Sequence, residues 1–180
     1  AAMSFNGTNS RVVMGAAPGL GTATFTLECW FRWNNGGSTA SSGGGGIVAF
    51  PLVTKGRGES DGNTLDQNYF LGVDASGRLT ADYEEGVGQL SPGANHPVTG
   101  STAIARNDGV WHHAAATFDG TTWRLFLDGN PDGIVVVGPG RLPRWDSIQH
   151  FGVGTALNSL GETVDSLGVV NGYFSGDIDE

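Results

Sequence analysis

The sequence is poor in cysteine, in helix-forming runs and in long apolar segments. Cys29 is the only cysteine, which excludes an intramolecular disulfide and, within an alternating apolar run, indicates a small buried hydrophobic residue. There are two methionines and few helix-forming runs, so we expect almost no helix. No apolar run reaches the length of a membrane span and no secretory leader is recognisable, so neither is predicted.

Basic residues are also scarce. Nine lysines and arginines stand against 18 acidic residues, which gives a net charge of −9, and Lys55 is the only lysine. Because this charge repels phosphate backbones, a nucleic-acid partner is not expected. An acidic surface suits divalent cations, although it also serves solubility alone.

Glycine, in contrast, is abundant, with 31 glycines among 180 residues. Glycine favours tight turns between short strands, and a chain of this length can bury the core of one sandwich or barrel. We therefore predict a single all-β domain over residues 1–180, and the opening on Ala1 rather than methionine indicates a piece of a longer chain or assembly. The Gly/Ser-rich residues 34–46 predict a flexible loop inside this domain, because the residues before them are too few for a separate core.

The strongest local signal lies in residues 111–129. Two alternating runs flank Asp119-Gly120, a dipeptide that favours a two-residue type I′ turn between antiparallel strands. Such a turn would pair Phe118 with Thr121 and place one side of the hairpin in the core. A longer loop would change this register and swap the two faces.

Other apolar or alternating runs bounded by turn residues predict further short strands. Residues 24–33 alternate at period two and predict a central strand, and Pro51 is expected to break or bulge the strand that contains it. Together, about a dozen short strands favour two packed antiparallel sheets. The remaining predicted strands are residues 3–5 and 11–14 as a first hairpin, 47–55, 69–73 with 78–83 as another hairpin, 98–105, 134–137, 147–153 and 173–180.

Two groups of polar residues are candidate sites by their residue types. Adjacent residues of a strand point to opposite faces, so His112 and His113 cannot share a metal and are expected to pack in a core or pocket. Asp61, Asn63 and Asp66 offer hard oxygens in one loop, which suits Ca²⁺, but the glycine and glutamate of an EF-hand are missing. A solvated loop is the alternative interpretation of these three residues.

A catalytic site is not predicted. Asp177 and Asp179 fall on one face of a strand, which invites comparison with the two carboxylates of a glycosidase, but no glutamate follows at the right place. No nucleophile elbow, phosphate-binding loop or metalloprotease helix is present, so no catalytic or cofactor-binding residues are assigned. Trp145 and Tyr83 are aromatic residues in predicted loop or turn regions that could stack on sugar rings.

Four segments then combine into a family pattern: Ser4-Phe5-Asn6-Gly7, residues 25–30, residues 111–129, and residues 172–180, which end in Asp177-Ile178-Asp179-Glu180. In order and spacing they resemble the laminin G-like domains of the concanavalin A-like lectin/glucanase superfamily. The resemblance implies a jelly-roll sandwich that serves as an extracellular module of a larger protein.

The resemblance also implies a calcium ion that ties the first turn to the last strand. Carried over to this sequence, the ligands would be Asp179 and oxygens near Asn6 and Gly7. Two departures from the family pattern affect this site. Asn6 replaces the usual aspartate, and the chain stops where the last strand should continue, which would leave that strand without a neighbour.

The leading hypothesis from the sequence is a non-catalytic extracellular recognition or adhesion module, supported by Ca²⁺, that binds carbohydrate or an extracellular protein. A second hypothesis is a structural subunit of an extracellular fibre or surface layer that self-associates through edge strands. A glycoside hydrolase of the glucanase type, dependent on Asp179, is the third.

Overall fold

The computed structural model describes the whole chain, residues 1–180. Its only helical segment is a three-residue 3-10 turn at Pro18–Leu20, so the expectation of almost no helix is confirmed. No helix has the length and apolar composition needed to cross a bilayer. The strands are β1 (Met3–Asn6), β2 (Val12–Val13), β3 (Phe25–Trp33), β4 (Ala40–Ser41), β5 (Val48–Lys55), β6 (Tyr69–Asp74), β7 (Arg78–Asp82), β8 (Val98–Ala103), β9 (His112–Phe118), β10 (Thr122–Leu127), β11 (Asn130–Val136), β12 (Phe151–Val153) and β13 (Ser175–Asp179).

The strands form two antiparallel sheets that pack face to face. Sheet A has the strand order β1-β13-β3-β9-β10-β11, and sheet B has the order β2-β12-β5-β6-β7-β8, with β4 added beside β5. The prediction of an antiparallel two-sheet jelly-roll sandwich is confirmed. The strand predicted to be central, β3, indeed lies inside sheet A between β13 and β9.

The core between the sheets follows from period-two alternation along the strands. In β3, Leu27, Cys29 and Phe31 are buried while the residues between them face outward. They belong to a cluster of 24 buried apolar residues that also contains Trp33 and Trp123. Burial raises the pKa of the Cys29 thiol to about 12, so this residue serves as a small hydrophobic core residue, as its sequence context indicates.

The predicted hairpin of residues 111–129 forms, but its register differs from a two-residue turn. Phe118 pairs with Trp123 rather than with Thr121, because the loop is longer by two residues. Asp119 Oδ1 accepts the backbone N–H groups of Thr121 and Thr122 at 3.0 and 2.9 Å, which stabilises the wider loop. The expectation that a longer loop would swap the faces is wrong, because a shift of two residues preserves them, and the side predicted to be core is buried.

The prediction that residues 3–5 and 11–14 form a first hairpin is wrong. β1 pairs with β13 in sheet A, whereas β2 pairs with β12 in sheet B, so the turn between β1 and β2 carries the chain from one sheet to the other. The expectation that the last strand lacks a neighbour is also wrong, since β13 is hydrogen-bonded to β1 on one side and to β3 on the other.

The outer faces of the two sheets differ in how far loops cover them. The outer face of sheet A is open, whereas loops pack over the outer face of sheet B around a second apolar cluster of Ala40, Ile47, Ala49, Phe70 and Ala156. Residues 34–46 belong to this cover, and Ser42 within them is completely buried. Their composition predicts a flexible loop, whereas the structure places part of the segment, β4 and Ser42, against sheet B, where glycines allow close packing.

Candidate functional site

The open face of sheet A carries an exposed tryptophan at its centre. Trp30 lies on the outward side of β3, between the buried Cys29 and Phe31, and is 40% exposed. It pairs across the sheet with His113 on one side and Asp179 on the other, and the Trp30 and His113 ring centroids are 5.2 Å apart. The two ring planes are tilted by 56° relative to each other, and together the rings form an aromatic surface that we call the Trp30 platform.

Shallow hollows flank the Trp30 platform on both sides. One has a volume of about 270 Å³ and is lined by Trp30, Trp111 and Asp179. The other, of about 340 Å³, is lined by Trp30, His113, Asp128 and Gly129. An apolar ring with carboxylates at its edges can stack on one face of a ligand while accepting hydrogen bonds from its hydroxyl groups.

An ion pair fixes the neighbouring part of this face. Arg32 donates to Asp177 Oδ2 from Nε at 3.0 Å and from Nη2 at 2.8 Å, and Ser4 Oγ donates to Asp177 Oδ1 at 2.6 Å. The Arg32 Cζ atom also lies 5.5 Å from the Trp111 ring centroid, which is a cation–π distance. The hydrogen bonds from Ser4 and Arg32 lower the pKa of Asp177, which opposes use as the proton donor of a glycosidase.

This ion pair gives a testable pH dependence. A folded-state pKa below the unfolded value means that Asp177 stabilises the fold above about pH 4, and this contribution is lost as the pH falls through the folded-state pKa. We expect Asp177→Asn to lower the free energy of unfolding at pH 7 by about 1 kcal/mol, because Arg32 is partly exposed. Urea unfolding of both proteins from pH 7 to pH 2 should show the difference shrink at low pH, whereas Glu162→Gln, an exposed control, should match the wild type throughout.

The two adjacent histidines point to opposite faces, as predicted. The His113 ring lies against Trp30 outside, and the His112 ring lies 5.9 Å from the ring of Phe31 on the core side. His112 Nδ1 is 2.9 Å from Asp128 Oδ2, whose other oxygen accepts the His113 backbone N–H at 2.8 Å. The pair therefore connects the core side of β9 with the Trp30 platform and does not form a shared metal site.

The structure does not bring together Asn6, Gly7 and Asp179, the residues predicted to bind calcium between the first turn and the last strand. Asn6 pairs with Ser175, four residues along β13 from Asp179, which corresponds to a separation of about 13 Å along the strand. Asn6 Oδ1 already accepts backbone N–H groups of Thr8, Asn9 and Ser10, and Gly7 occupies the turn that they form.

The alternative calcium set, Asp61, Asn63 and Asp66, is also dispersed. Asn63 Oδ1 accepts the Leu65 backbone N–H at 2.7 Å, so this side chain stabilises the local turn. Asp61 is exposed at the surface, whereas Asp66 is completely buried with Arg144 Nη1 3.6 Å from its Oδ2 atom. Calcium binding by either predicted set stays a prediction.

A larger hollow lies among the loops that cover sheet B. It has a volume of about 410 Å³, and its lining is polar and contains no aromatic residue. Arg57, which the sequence reasoning missed, is buried there, and its Nη2 group donates to Asn171 Oδ1. The lining residues are Ser41, Gly43, Gly44, Arg57, Gly58, Glu59, Asp61, Asp165, Ser166 and Leu167.

The two aromatic residues suggested from sequence for sugar stacking have different environments. Tyr83 is completely buried, its hydroxyl donates to the Arg141 carbonyl, and its ring packs 4.8 Å from that of Phe118, so it cannot stack on an external ligand. Trp145 is 40% exposed in a loop. Trp30 was missed as a candidate because period two places it on a face without indicating that the face is open.

Several solved structures share this fold at low sequence identity. CBM40 of the Ruminococcus gnavus IT-sialidase, bound to alpha2,3 sialyllactose, is 13% identical with a TM-score of 0.66, over 98% of this chain and 85% of that one. Domain 4 of AbnA, a GH43 extracellular arabinanase from Geobacillus stearothermophilus in complex with arabinotriose, is 14% identical with a TM-score of 0.57, over 99% and 67%. Domains LG4-5 of the mouse laminin alpha1 chain are 16% identical with a TM-score of 0.60, over 99% and 40%.

Sequence comparison gives the family. No curated protein sequence matches the chain significantly. A laminin G family model, described as the concanavalin A-like lectin/glucanases superfamily, matches residues 6–180. The match spans nearly the whole sandwich, from the end of β1 through β13. The chain therefore belongs to the laminin G family of the concanavalin A-like lectin/glucanases superfamily.

Proposed function

We propose that this protein is a non-catalytic carbohydrate-binding module whose ligand stacks on the Trp30 platform. The observation that carries the proposal is the exposed Trp30 ring on an open sheet face, with a hollow on each side of it. Sugar rings present an apolar C–H face that packs on an aromatic ring and hydroxyl groups that carboxylates accept. The sugar-bound state of two structures with the same fold supports the same class of ligand.

The charges around the Trp30 platform favour neutral sugars. Asp179 and Asp128 line the hollows, and Glu28 lies nearby with its Oε2 atom 3.8 Å from His113 Nε2. The positive charge of Arg32 is offset by the carboxylate of Asp177, with which it forms an ion pair. Together with the net charge of −9, these carboxylates would repel sialic or uronic acids, so neutral oligosaccharides are the proposed ligands.

The proposed setting is extracellular, where polysaccharides and glycoproteins are accessible. The laminin and arabinanase domains of the same fold support this setting. Adhesion to a glycosylated partner is the corresponding biological role. The structural-subunit hypothesis relies on a free edge at the terminal strand. Because β13 is hydrogen-bonded on both sides, edge contacts of that kind would have to use the outermost strands, β1 and β11 of sheet A or β2 and β8 of sheet B.

The test compares two tryptophans of equal exposure. Trp30→Ala should weaken binding to any neutral glycan found on an array by about 10- to 100-fold in calorimetry, because the stacking surface is removed. Trp145→Ala is the matched control, since Trp145 is also 40% exposed but lies outside the platform, and it should bind like the wild type.

Three outcomes would contradict the proposal. Loss of binding in Trp145→Ala with full binding in Trp30→Ala would place the ligand elsewhere. Preference for sialylated over neutral glycans would overturn the assigned ligand class. A folded protein that binds no glycan on the array, or that releases sugar from it, would overturn the function itself.

A further inference from the structure

The outer face of sheet A continues beyond the Trp30 platform toward the edge strand β11. Opposite residues of an antiparallel pair point to the same side of a sheet. One row across four strands consists of Glu28, Ala115, Phe126 and Pro131. This row lies on the outer face, because the neighbours of Phe126 along β10, Leu125 and Leu127, are buried in the core.

The row is low in its middle and aromatic further along. Ala115 carries only a methyl group and is buried, so the side chains around it rise above it. Phe126, on the next strand, is partly exposed. A ligand that stacks on Trp30 can therefore extend across Ala115 to the Phe126 ring.

A further hollow lies where this row reaches β11, and we call it the Phe126 hollow. It has a volume of about 340 Å³, and its outward-facing lining side chains are Arg124, Phe126, Pro131 and Ile134. A β-bulge opens it, because two residues of β11 instead of one separate Pro131 from Ile134. Ile134 is 65% exposed, so the Phe126 hollow has an apolar wall that faces solvent.

The separation of the two places fits a short glycan chain. The Phe126 hollow lies between β10 and β11, two to three strands from β3 and a few residues further along the sheet. Strand and residue spacings put it about 15 Å from Trp30, which is about the length of three or four linked sugar residues.

The two ends of this path offer complementary hydrogen-bonding groups. Asp128 and Asp179 supply carboxylates at the Trp30 platform. At the Phe126 hollow, Arg124 Nη1 donates to Asp119 Oδ2 at 2.6 Å, and the other guanidinium N–H groups form no hydrogen bond within the chain. Sugar hydroxyl groups can donate to the carboxylates and accept from Arg124, while the charge of Arg124 is offset by Asp119.

We propose that the ligand is a linear neutral oligosaccharide of about three or more residues, with one sugar on the Trp30 platform and another in the Phe126 hollow. This inference rests on the proposed function, since the chain that reaches the Phe126 hollow is the one that stacks on Trp30. Continuity with the platform and the available donors of Arg124 favour a hydroxyl-rich ligand over a protein partner at Phe126 and Ile134.

The first experiment measures affinity against chain length by calorimetry. The probes are linear oligosaccharides of glucose, xylose, mannose and arabinose, each from the monosaccharide to the hexasaccharide. For the sugar that binds, affinity should rise about 30-fold or more from the disaccharide to the tetrasaccharide and then stay level, because longer chains extend past both places.

The outcomes separate this inference from the proposed function. Equal affinity for the monosaccharide and the hexasaccharide would overturn the inference and leave the Trp30 platform as the sugar site. The inference would also fail alone if array glycans bind and no linear probe does. If neither the array glycans nor the probes bind, the proposed function fails as well.

Variants then locate the second sugar. Phe126→Ala should weaken tetrasaccharide binding about 10-fold and leave disaccharide binding within about twofold, whereas Trp30→Ala should weaken both. Val136→Ala is the matched control, because Val136 is 73% exposed on the same face of β11 but lies outside the Phe126 hollow. If Phe126→Ala does not fold, Ile134→Ala should weaken tetrasaccharide binding about threefold.

Two results with the variants would overturn the assignment. Unchanged tetrasaccharide affinity in both Phe126→Ala and Ile134→Ala would mean that the chain leaves the Trp30 platform in another direction. Loss of a dimer in Phe126→Ala at unchanged sugar affinity, measured by analytical ultracentrifugation, would assign the Phe126 hollow to a second copy of the chain.

Discussion

Replacing Gly46 by alanine is expected to lower the free energy of unfolding by about 3 kcal/mol, which corresponds to about 6–12 °C in melting temperature. The new methyl group would lie closer than any real Cβ contact to Ser42 Oγ and Asp82 Oδ2, and 2.6 Å from Asn95 Nδ2. These atoms are hydrogen-bonded to one another in the interior, so they cannot all move away. Thermal and urea unfolding of the variant and the wild type would measure the loss.

Gly44 provides the matched control in the same loop. A Cβ atom there would meet nothing within 4 Å, and Gly44 does not adopt a positive φ. Gly44→Ala should therefore change stability by less than about 0.5 kcal/mol, with a small gain from reduced freedom of the unfolded chain. Equal effects of the two substitutions would mean that residues 34–46 form a mobile loop after all.

The second large effect is expected at Lys55, the only lysine. Its ammonium group is completely buried and donates to the carbonyl oxygens of Ala16, Ser147 and Gln149 at 2.6, 3.0 and 2.8 Å. Burial lowers the Lys55 pKa to about 8, so at pH 7 the group keeps three protons, one for each carbonyl. Lys55→Met should lower the free energy of unfolding by about 3–5 kcal/mol, because the three carbonyls lose their donor.

Urea unfolding at pH 7 would measure the effect of Lys55→Met. Arg78→Met, at an exposed position of β7, is the control for loss of one positive charge and should stay within about 0.5 kcal/mol of the wild type. A Lys55→Met protein as stable as the wild type would show that water or a small rearrangement replaces the ammonium group. No backbone N–H group donates to the carbonyls of Ala16, Ser147 and Gln149, so no existing hydrogen bond would replace the one lost from the Lys55 ammonium group.

Alternation along single strands was sufficient to predict much of the fold. In β3 it separated Leu27, Cys29 and Phe31 from Glu28 and Trp30 before any partner strand was known. The bulge at Pro51 was also predictable, since proline cannot donate to the ladder, and the register indeed shifts between Pro51 and Val53. The family pattern of four segments then supplied the order of the whole sandwich.

The predictions that failed concern contacts between segments that lie far apart in the sequence. A hairpin of β1 and β2 is a natural local expectation, but β1 pairs instead with a strand about 170 positions away. Likewise, composition cannot reveal that the glycines near Ser42 pack on Asp82 and Asn95, since each partner comes from a different part of the chain. The candidate site had the same difficulty, because Trp30 can be recognised only when the sheet face that carries it is known to be open.

The pairing of β1 with β13 has a mechanical consequence. Met3 lies opposite Ile178 and Asn6 opposite Ser175, so both termini emerge at the same end of one antiparallel strand pair. A force that pulls the termini apart loads the hydrogen bonds of this pair one after another, as in opening a zipper, instead of all at once. The sandwich should therefore yield to stretching at low force by peeling β1 from β13.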